Sequence, residues 1–349
     1  MISFVWTPSS FWTPPFPLVE GSGGSESFVL GQARELTRRG IENQVITFRL
    51  GKDDGRASAP DVHFVDFEDV QKMGTLHGES VIQTEPLDYA SDRTPFVMMH
   101  NPPYLDRTKD FYQKGYANRR LMTNSHANAR LWAHYFGIPL ADIAVVYPFA
   151  HAAFTNQPSP VRAPGPIRVL FAGRLTVDKG LYSFFEALHA FVDDAGFEFS
   201  VIKAPSREGQ FKIIESLVNA HPMLTAIESR HSPQDMAELL TQYDVVVMPS
   251  HKVMWPEPFG MLSVEAQHAG CRVVASNVGG LPETDCGGLI TFDSDSPVAF
   301  AASIREAAAK GRLTDAERKK AANCFTVESS VDQLLAAFSG DFPVYRPTK

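Results

Sequence analysis

The 349-residue sequence is short of cysteine, of net positive charge and of long apolar runs, and each shortage removes a class of protein. Its three cysteines, Cys271, Cys286 and Cys324, are scattered and odd in number. With no Cys-x-x-Cys pair and no Cys/His ligand spacing, neither a disulfide framework nor a zinc site is expected. Such usage suits a reducing cytoplasm. Lys and Arg number 32 against 40 Asp and Glu, a formal net charge of −8. That balance argues against a sequence-independent nucleic-acid binder, which needs a basic surface for phosphates. No uninterrupted apolar stretch approaches the roughly 20 residues of a membrane-spanning helix. The opening Met1-Ile-Ser-Phe-Val-Trp6 lacks the basic flank and apolar run of a secretory signal. The expected location is therefore the cytoplasm.

What is present is ample apolar material, 44% of the chain, in a length that suits two domains. In the second half, short branched and aromatic runs read as buried strands at Ile167 to Ala172, Phe197 to Ile202, Met223 to Ile227, Asp244 to Met248, Arg272 to Ala275 and Leu289 to Phe292. Helical spacing separates them. Leu181, Phe184, Phe185 and Leu188 recur at it, Phe211 to Val218 sits in the next helix, and Ser232-Pro-Gln-Asp235 reads as a helix start with a capping hydroxyl and an early proline. A further helix begins near Gly260. The first half repeats the plan, with strands at Ile2 to Trp6, Gln44 to Phe48, Val62 to Val65, Ser80 to Gln83, Phe96 to Met99, Leu121 to Thr123 and Ala144 to Val146. Helices are expected over Val29 to Leu36, ended by Gly40, near Leu105 to Lys114, and over Ser125 to Phe136. The proline-rich stretch Asn156 to Pro166 reads as a linker. Alternation of this kind predicts two doubly wound α/β domains, 1–155 and 165–324, each a parallel sheet covered on both faces. A last helix, in 325–349, carries Val331, Leu334, Leu335 and Phe338 on one face and is a candidate to pack back on the first domain. Ligands of such folds bind at the carboxyl ends of the strands.

Two segments carry chemistry. In Pro256-Glu-Pro-Phe-Gly-Met-Leu-Ser-Val-Glu265, one carboxylate sits in a proline-bounded loop after a buried strand and the other inside the following helix, with seven residues between them. The backbone N–H groups of Phe259, Gly260 and Met261 open that helix, where anionic and hydroxyl-rich groups bind well. Read alone, Glu257 and Glu265 are as consistent with solvated surface charge. In Ala172-Gly-Arg-Leu-Thr-Val-Asp-Lys-Gly180, Arg174 and Lys179 flank a strand–helix turn, which is also a common place for surface bases.

Together, Glu257-Pro-Phe-Gly-Met-Leu-Ser-Val-Glu265 and Ala269-Gly-Cys-Arg-Val-Val-Ala-Ser-Asn-Val-Gly-Gly-Leu-Pro-Glu283 closely resemble the donor-site signature of family 4 retaining glycosyltransferases of the GT-B fold. Ala172 to Gly180 resembles that family's phosphate-binding signature. The resemblance is strong over the second domain and weak over the first. It implies a GT-B architecture, two Rossmann-like domains facing a central cleft, and transfer of a hexosyl unit with retained anomeric configuration. The donor it implies is a nucleotide-diphosphate sugar, a UDP-sugar in preference to GDP-mannose. Arg174 and Lys179 would neutralise the donor diphosphate as it departs. Glu265 would bind the ribose hydroxyls, and Glu257 with the Phe259–Met261 backbone would hold the transferred sugar. Basic side chains and helix dipoles suffice for the diphosphate, so neither metal nor other cofactor is expected. Rival readings are a nucleotide-sugar epimerase or sugar phosphorylase of the same fold, and a non-catalytic nucleotide-sugar binding protein.

Other features are less specific. Gly23-Gly24, between the first strand and first helix, is either a plain turn or the family's glycine loop at a phosphate. Gly279-Gly280 is either a turn or a ligand contact. His100, after an apolar strand and before Asn101-Pro-Pro-Tyr104, resembles the family's cleft histidine that contacts the donor sugar; its plainer reading is structural. The loop Thr7 to Ser22 is placed to line the acceptor site or to cover the sheet edge. Tyr104 to Arg120 interleaves five basic residues with Phe111, Tyr112 and Tyr116. It reads as a solvated face, a peripheral contact with an anionic membrane at its inner surface, or a site for an anionic acceptor. The acceptor itself, whether glycan, lipid-linked or small molecule, is not legible. Two departures from the family are plain: Phe149-Ala-His151 replaces its Gly-Val-Asp, and Lys203-Ala-Pro-Ser206 stands where it has a glycine.

Overall fold

The computed structural model describes residues 1–6, 24–47, 59–83, 87–103, 107–158, 164–203, 211–230 and 232–347. The chain divides into two compact units, Met1–Phe149 with Val327–Lys349, and Ala150–Thr326.

The first unit is a seven-stranded sheet of β1 (Ile2–Trp6), β2 (Asn43–Thr47), β3 (Phe64–Asp66), β4 (Glu79–Gln83), β5 (Phe96–Met99), β6 (Arg120–Thr123) and β7 (Ile143–Val145). Their order is β3-β2-β1-β4-β5-β6-β7, with every pairing parallel. The strands are apolar throughout because both faces are covered, and alternate residues feed different cores. Phe96 and Met98 enter one cluster with Phe4, Val45 and Val81, while Val97 and Met99 enter another with Ile82 and Leu121. Helix α1 (Gly24–Arg38) covers the first face through Phe28, Val29, Ala33 and Leu36. It ends as the sequence suggests: Gly40 takes φ +72°, and the N–H groups of Gly40 and Ile41 donate to the carbonyls of Thr37 and Leu36 at 2.9 Å. A short α2 (Phe67–Met73) follows β3. On the other face lie α3 (Lys109–Tyr116) and α4 (His126–Phe136), which supply Tyr112, Tyr116, Trp132 and Phe136.

The second unit has six parallel strands, β8 (Ile167–Phe171), β9 (Phe197–Lys203), β10 (Leu224–Glu228), β11 (Val245–Met248), β12 (Arg272–Ser276) and β13 (Leu289–Phe292). They are ordered β10-β9-β8-β11-β12-β13. Its helices are α5 (Leu181–Leu188), α6 (Phe211–Ala220), α7 (Pro233–Leu240), α8 (Met261–His268), α9 (Pro297–Lys310) and α10 (Asp315–Ala321). Ser232 caps α7 as expected, its hydroxyl accepting from the Asp235 N–H. The chain runs outward from β8 to β10 and then returns to β11 beside β8. The loops after β8 and β11 therefore diverge from neighbouring strands and leave a crevice at their carboxyl ends.

The chain finishes with α11 (Val327–Ser339), whose Val331, Leu334 and Ala337 join the first unit's core. The Ser330 hydroxyl donates to the Tyr147 carbonyl at 2.7 Å, and Gln333 accepts from the Tyr147 N–H at 2.8 Å. Tyr345, further on, packs on Phe136 across the sheet.

Most elements fall where the hydrophobic periodicity puts them, with ends shifted by one or two residues. Three differences are larger. α2, α9 and α10 lie in stretches assigned no element above. The helix expected near Leu105 to Lys114 is Lys109–Tyr116, because the Thr108 hydroxyl accepts from the Phe111 N–H and sets its start. Gly24 is not in a connection before the first helix but is that helix's first residue. Gly23, the loop Thr7 to Ser22, Tyr104 and residues 204–206 lie outside the described residues.

Candidate active site

The crevice between β8 and β11 is lined by residues of the two loops just described. Phe171, Ala172, Gly173 and Lys179 come from the first; Val247, Met248, Ser250, Glu257, Gly260, Met261 and Leu262 come from the second and the start of α8. It is an open crevice of about 460 Å³, solvent space at its mouth included.

At its floor the Lys179 ammonium meets the Glu257 carboxylate, Nζ to Oε2, at 2.5 Å. Their side chains are only 17% and 13% exposed. The same carboxylate oxygen accepts from the Ser250 hydroxyl at 3.2 Å, and the Ser250 carbonyl accepts from the Ser276 hydroxyl at 2.8 Å. Ser250 and Ser276 are buried, Ser276 at the end of β12. Neither stands out in the sequence. The available signal was position, since Pro249-Ser250 follows the strand at the switch point directly.

Glycines hold these loops together. Gly180, at φ +76°, ends the turn carrying Lys179, and a side chain there would overlap the Pro249 carbonyl. Gly279, at φ +58°, and Gly280 pack on the backbone of Glu257 and Pro258, and the Gly280 N–H donates to the Glu257 carbonyl at 2.7 Å. This glycine pair thus backs the carboxylate loop by main-chain contact. Gly260, at φ +97°, caps α8 with a side chain's room taken by Leu281. Phe259 turns inward, edge-on to Phe325 at 5.1 Å, which anchors the loop, and it is not among the crevice-lining residues.

Arg174 is 49% exposed and its guanidinium lies 3.6 Å from Asp178. The Asp178 carbonyl accepts from the His251 N–H at 2.8 Å, a second tie between the two loops. Glu265 lies one turn beyond Met261 on α8. It is half-buried, and burial pushes its carboxyl up to about 7. Neither Arg174 nor Glu265 is among the crevice-lining residues.

A pH dependence follows for Glu265. A carboxyl raised from 4.5 to about 7 contributes stability that is fully present below pH 4.5 and lost as pH rises through 7. Glu265→Gln should therefore match wild type near pH 5 and exceed it at pH 8.5 by at most about 3 kcal/mol, read by urea denaturation. A difference independent of pH would contradict the raised carboxyl.

In the first unit, His100 follows β5 and is buried. Its Nε2 lies 2.7 Å from Gln83 Oε1 and its ring sits edge-on to Phe28 at 5.5 Å. Burial lowers its pKa to about 4, so the ring is neutral at physiological pH and Nε2–H donates to the Gln83 carbonyl oxygen. Gly24, at the start of α1, is exposed.

The basic stretch after Tyr104 does not present an aromatic face. Tyr112 and Tyr116 pack inward, and Lys114, Arg119 and Arg120 pair with Asp110, Asp88 and Glu79. Arg107 lies over the Phe111 ring at 4.6 Å. No helix among the described residues is long and apolar enough to cross a membrane. At the departure Phe149-Ala-His151, His151 Nδ1 accepts from the Ala153 N–H and so caps the turn that follows. Phe149 is accommodated by Gly31, where any side chain would meet its ring.

Two Rossmann-like parallel-sheet units are the architecture of GT-B glycosyltransferases. Residues 166–310, within the second unit, match the family model of glycosyl transferases group 1. Among curated relatives, D-inositol 3-phosphate glycosyltransferase of Geodermatophilus obscurus is 36% identical over 116 residues, 32% of this chain and 25% of the relative. Glycogen synthase of Mycobacterium tuberculosis is 30% identical over 219 residues, 59% of this chain and 51% of the relative. The chain thus spans about half or less of the length of these relatives. Among solved structures, a glycosyltransferase from Rickettsia africae superposes with a TM-score of 0.74 at 16% identity, covering 97% of both chains. Anabaena HepE, solved in complex with UDP and glucose, gives 0.67 at 16% identity, covering 97% of this chain and 99% of that one. The GT-B fold and the family resemblance seen in the sequence are both borne out.

Proposed function

We propose that this protein is a retaining glycosyltransferase that moves a hexosyl unit from a nucleotide-diphosphate sugar to an acceptor. The observation that carries the reading is the Lys179–Glu257 pair at the β8/β11 switch point. A cation and a carboxylate side by side, beneath a helix N-terminus, match the two halves of such a donor. Lys179, with Arg174 nearer solvent, takes the diphosphate, where negative charge grows as the bond to the sugar breaks. Glu257 accepts hydrogen bonds from sugar hydroxyls, and the N-terminus of α8 adds its dipole. Glu265 takes the ribose hydroxyls from the next turn. A UDP-sugar is the preferred donor, in keeping with the HepE complexes with UDP and with UDP-glucose. His100, neutral, buried and with Nε2–H committed to Gln83, is not suited to act as a general base. The departing phosphate is then the group that takes the acceptor's proton.

The test is a thermal-shift screen of UDP- and GDP-sugars, since a ligand that binds only the folded protein raises its apparent stability. A stabilising nucleotide sugar is then offered candidate acceptors and the product's anomeric configuration is read by NMR. No stabilisation by any nucleotide sugar would sink the reading. Isomerised sugar without acceptor would mark an epimerase, and dependence on inorganic phosphate a phosphorylase.

A further inference from the structure

We infer that Glu257 competes internally with the departing diphosphate for Lys179, so that loss of the sugar from the site drives release of the nucleoside diphosphate. The inference rests on the donor reading above and adds a step to it.

The geometry makes the carboxylate the fixed member of the pair. Its Oε2 is held by the Ser250 hydroxyl, Ser250 is held by Ser276, and the Glu257 carbonyl is held by the Gly280 N–H. Gly279 and Gly280 leave the loop no room to retreat. Lys179 is the movable member, a point charge on a four-carbon stem. Both side chains are more than four-fifths covered, so each charge needs a partner and a broken pair is costly.

A single ammonium has two calls on it. While the donor is intact, sugar hydroxyls donate to Glu257, and Lys179 turns to the diphosphate. Once the sugar has been transferred, Glu257 loses those donors, and the unpaired carboxylate draws Lys179 back. The nucleoside diphosphate is then left with a weakened cation. Sugar and diphosphate therefore bind cooperatively through one shared ion pair, and the product is held less tightly than the donor.

The experiment is calorimetry with UDP, GDP and inorganic pyrophosphate on wild type, Glu257→Gln, Lys179→Ala and the double variant, each checked for its fold by circular dichroism. Glutamine keeps the size of the side chain and removes the competing charge. Glu257→Gln should bind pyrophosphate, and whichever nucleoside diphosphate wild type binds, about tenfold more tightly, the scale of one charged hydrogen bond. That gain should vanish in the Lys179→Ala background. Unchanged or weaker binding in Glu257→Gln overturns the inference. A gain that persists without Lys179 also overturns it, since it would be plain repulsion between the carboxylate and any anion. Pyrophosphate separates the two readings. A Lys179-dependent gain for pyrophosphate, with no binding of UDP or GDP, supports the competition and sinks the nucleotide donor. Nucleotide binding without the gain sinks the competition alone.

Discussion

Lys179→Ala is expected to slow sugar transfer by about a hundred- to a thousandfold and to cost the folded protein about 3 kcal/mol. The two losses have separate causes. Transfer slows because the departing diphosphate loses a fixed positive charge where its own charge develops. Stability falls because the Glu257 carboxylate, 13% exposed, loses its partner at 2.5 Å and stays in a covered pocket. Adding Glu257→Gln should restore most of the stability and none of the turnover. Urea denaturation reads the first, and release of nucleoside diphosphate reads the second. Unchanged turnover in Lys179→Ala would refute the assignment of the crevice as the donor site. A single variant with wild-type stability would show that the pair does not bear on folding.

Gly180→Ala should be nearly as severe without touching a charge. At φ +76° any side chain is strained, which costs about 1–2 kcal/mol by itself. Here the added carbon also overlaps the Pro249 carbonyl, so the loop after β11 must move. The expected total is above about 3 kcal/mol, with donor-induced stabilisation lost, because Ser250 and Glu257 ride on that loop. Gly40→Ala is the control. It has nearly the same backbone, φ +72°, but nothing within 4 Å of the new carbon. Its cost should stay near about 1 kcal/mol and leave ligand-induced stabilisation intact. Equal effects of the two substitutions would show that backbone strain, not the Gly180–Pro249 contact, is what matters.

Much of this architecture is readable from local pattern. β5 reads as a buried strand because Phe96 to Met99 is apolar at every position, and that is so because alternate residues enter cores on opposite faces. α9 carries a local signal of the same kind, Ser296-Pro297 repeating the capping hydroxyl and early proline of Ser232-Pro233. α10 has a full capping box at Thr314 and Glu317, but its seven residues bury little more than Ala321, too faint an apolar face to reveal it. Bases and acids of the site could be nominated from their motifs, whereas their partners could not. The paired charges of Arg119 and Arg120 show why: the stretch after Tyr104 looks so basic only until Asp88 and Glu79 are brought beside it.

The segment from Glu257 to Glu283, with Ala172 to Gly180, carried the family resemblance without the fold, because motif residues are contiguous and their identity needs no folding to be read. Only the tertiary structure decided that Lys179 and Glu257, 78 residues apart, hold one another, that Ser250 and Ser276 support them, and that Gly279-Gly280 backs the loop. It also decided that Val331 and Leu334 complete the first unit's core. The reason is physical. Hydrophobic period reports which way a residue faces within its own element, while contacts between elements depend on the order of strands in the sheet. β11 lies beside β8 only because the order in which strands are added to the sheet reverses there, and that switch is what sets two distant loops around one crevice.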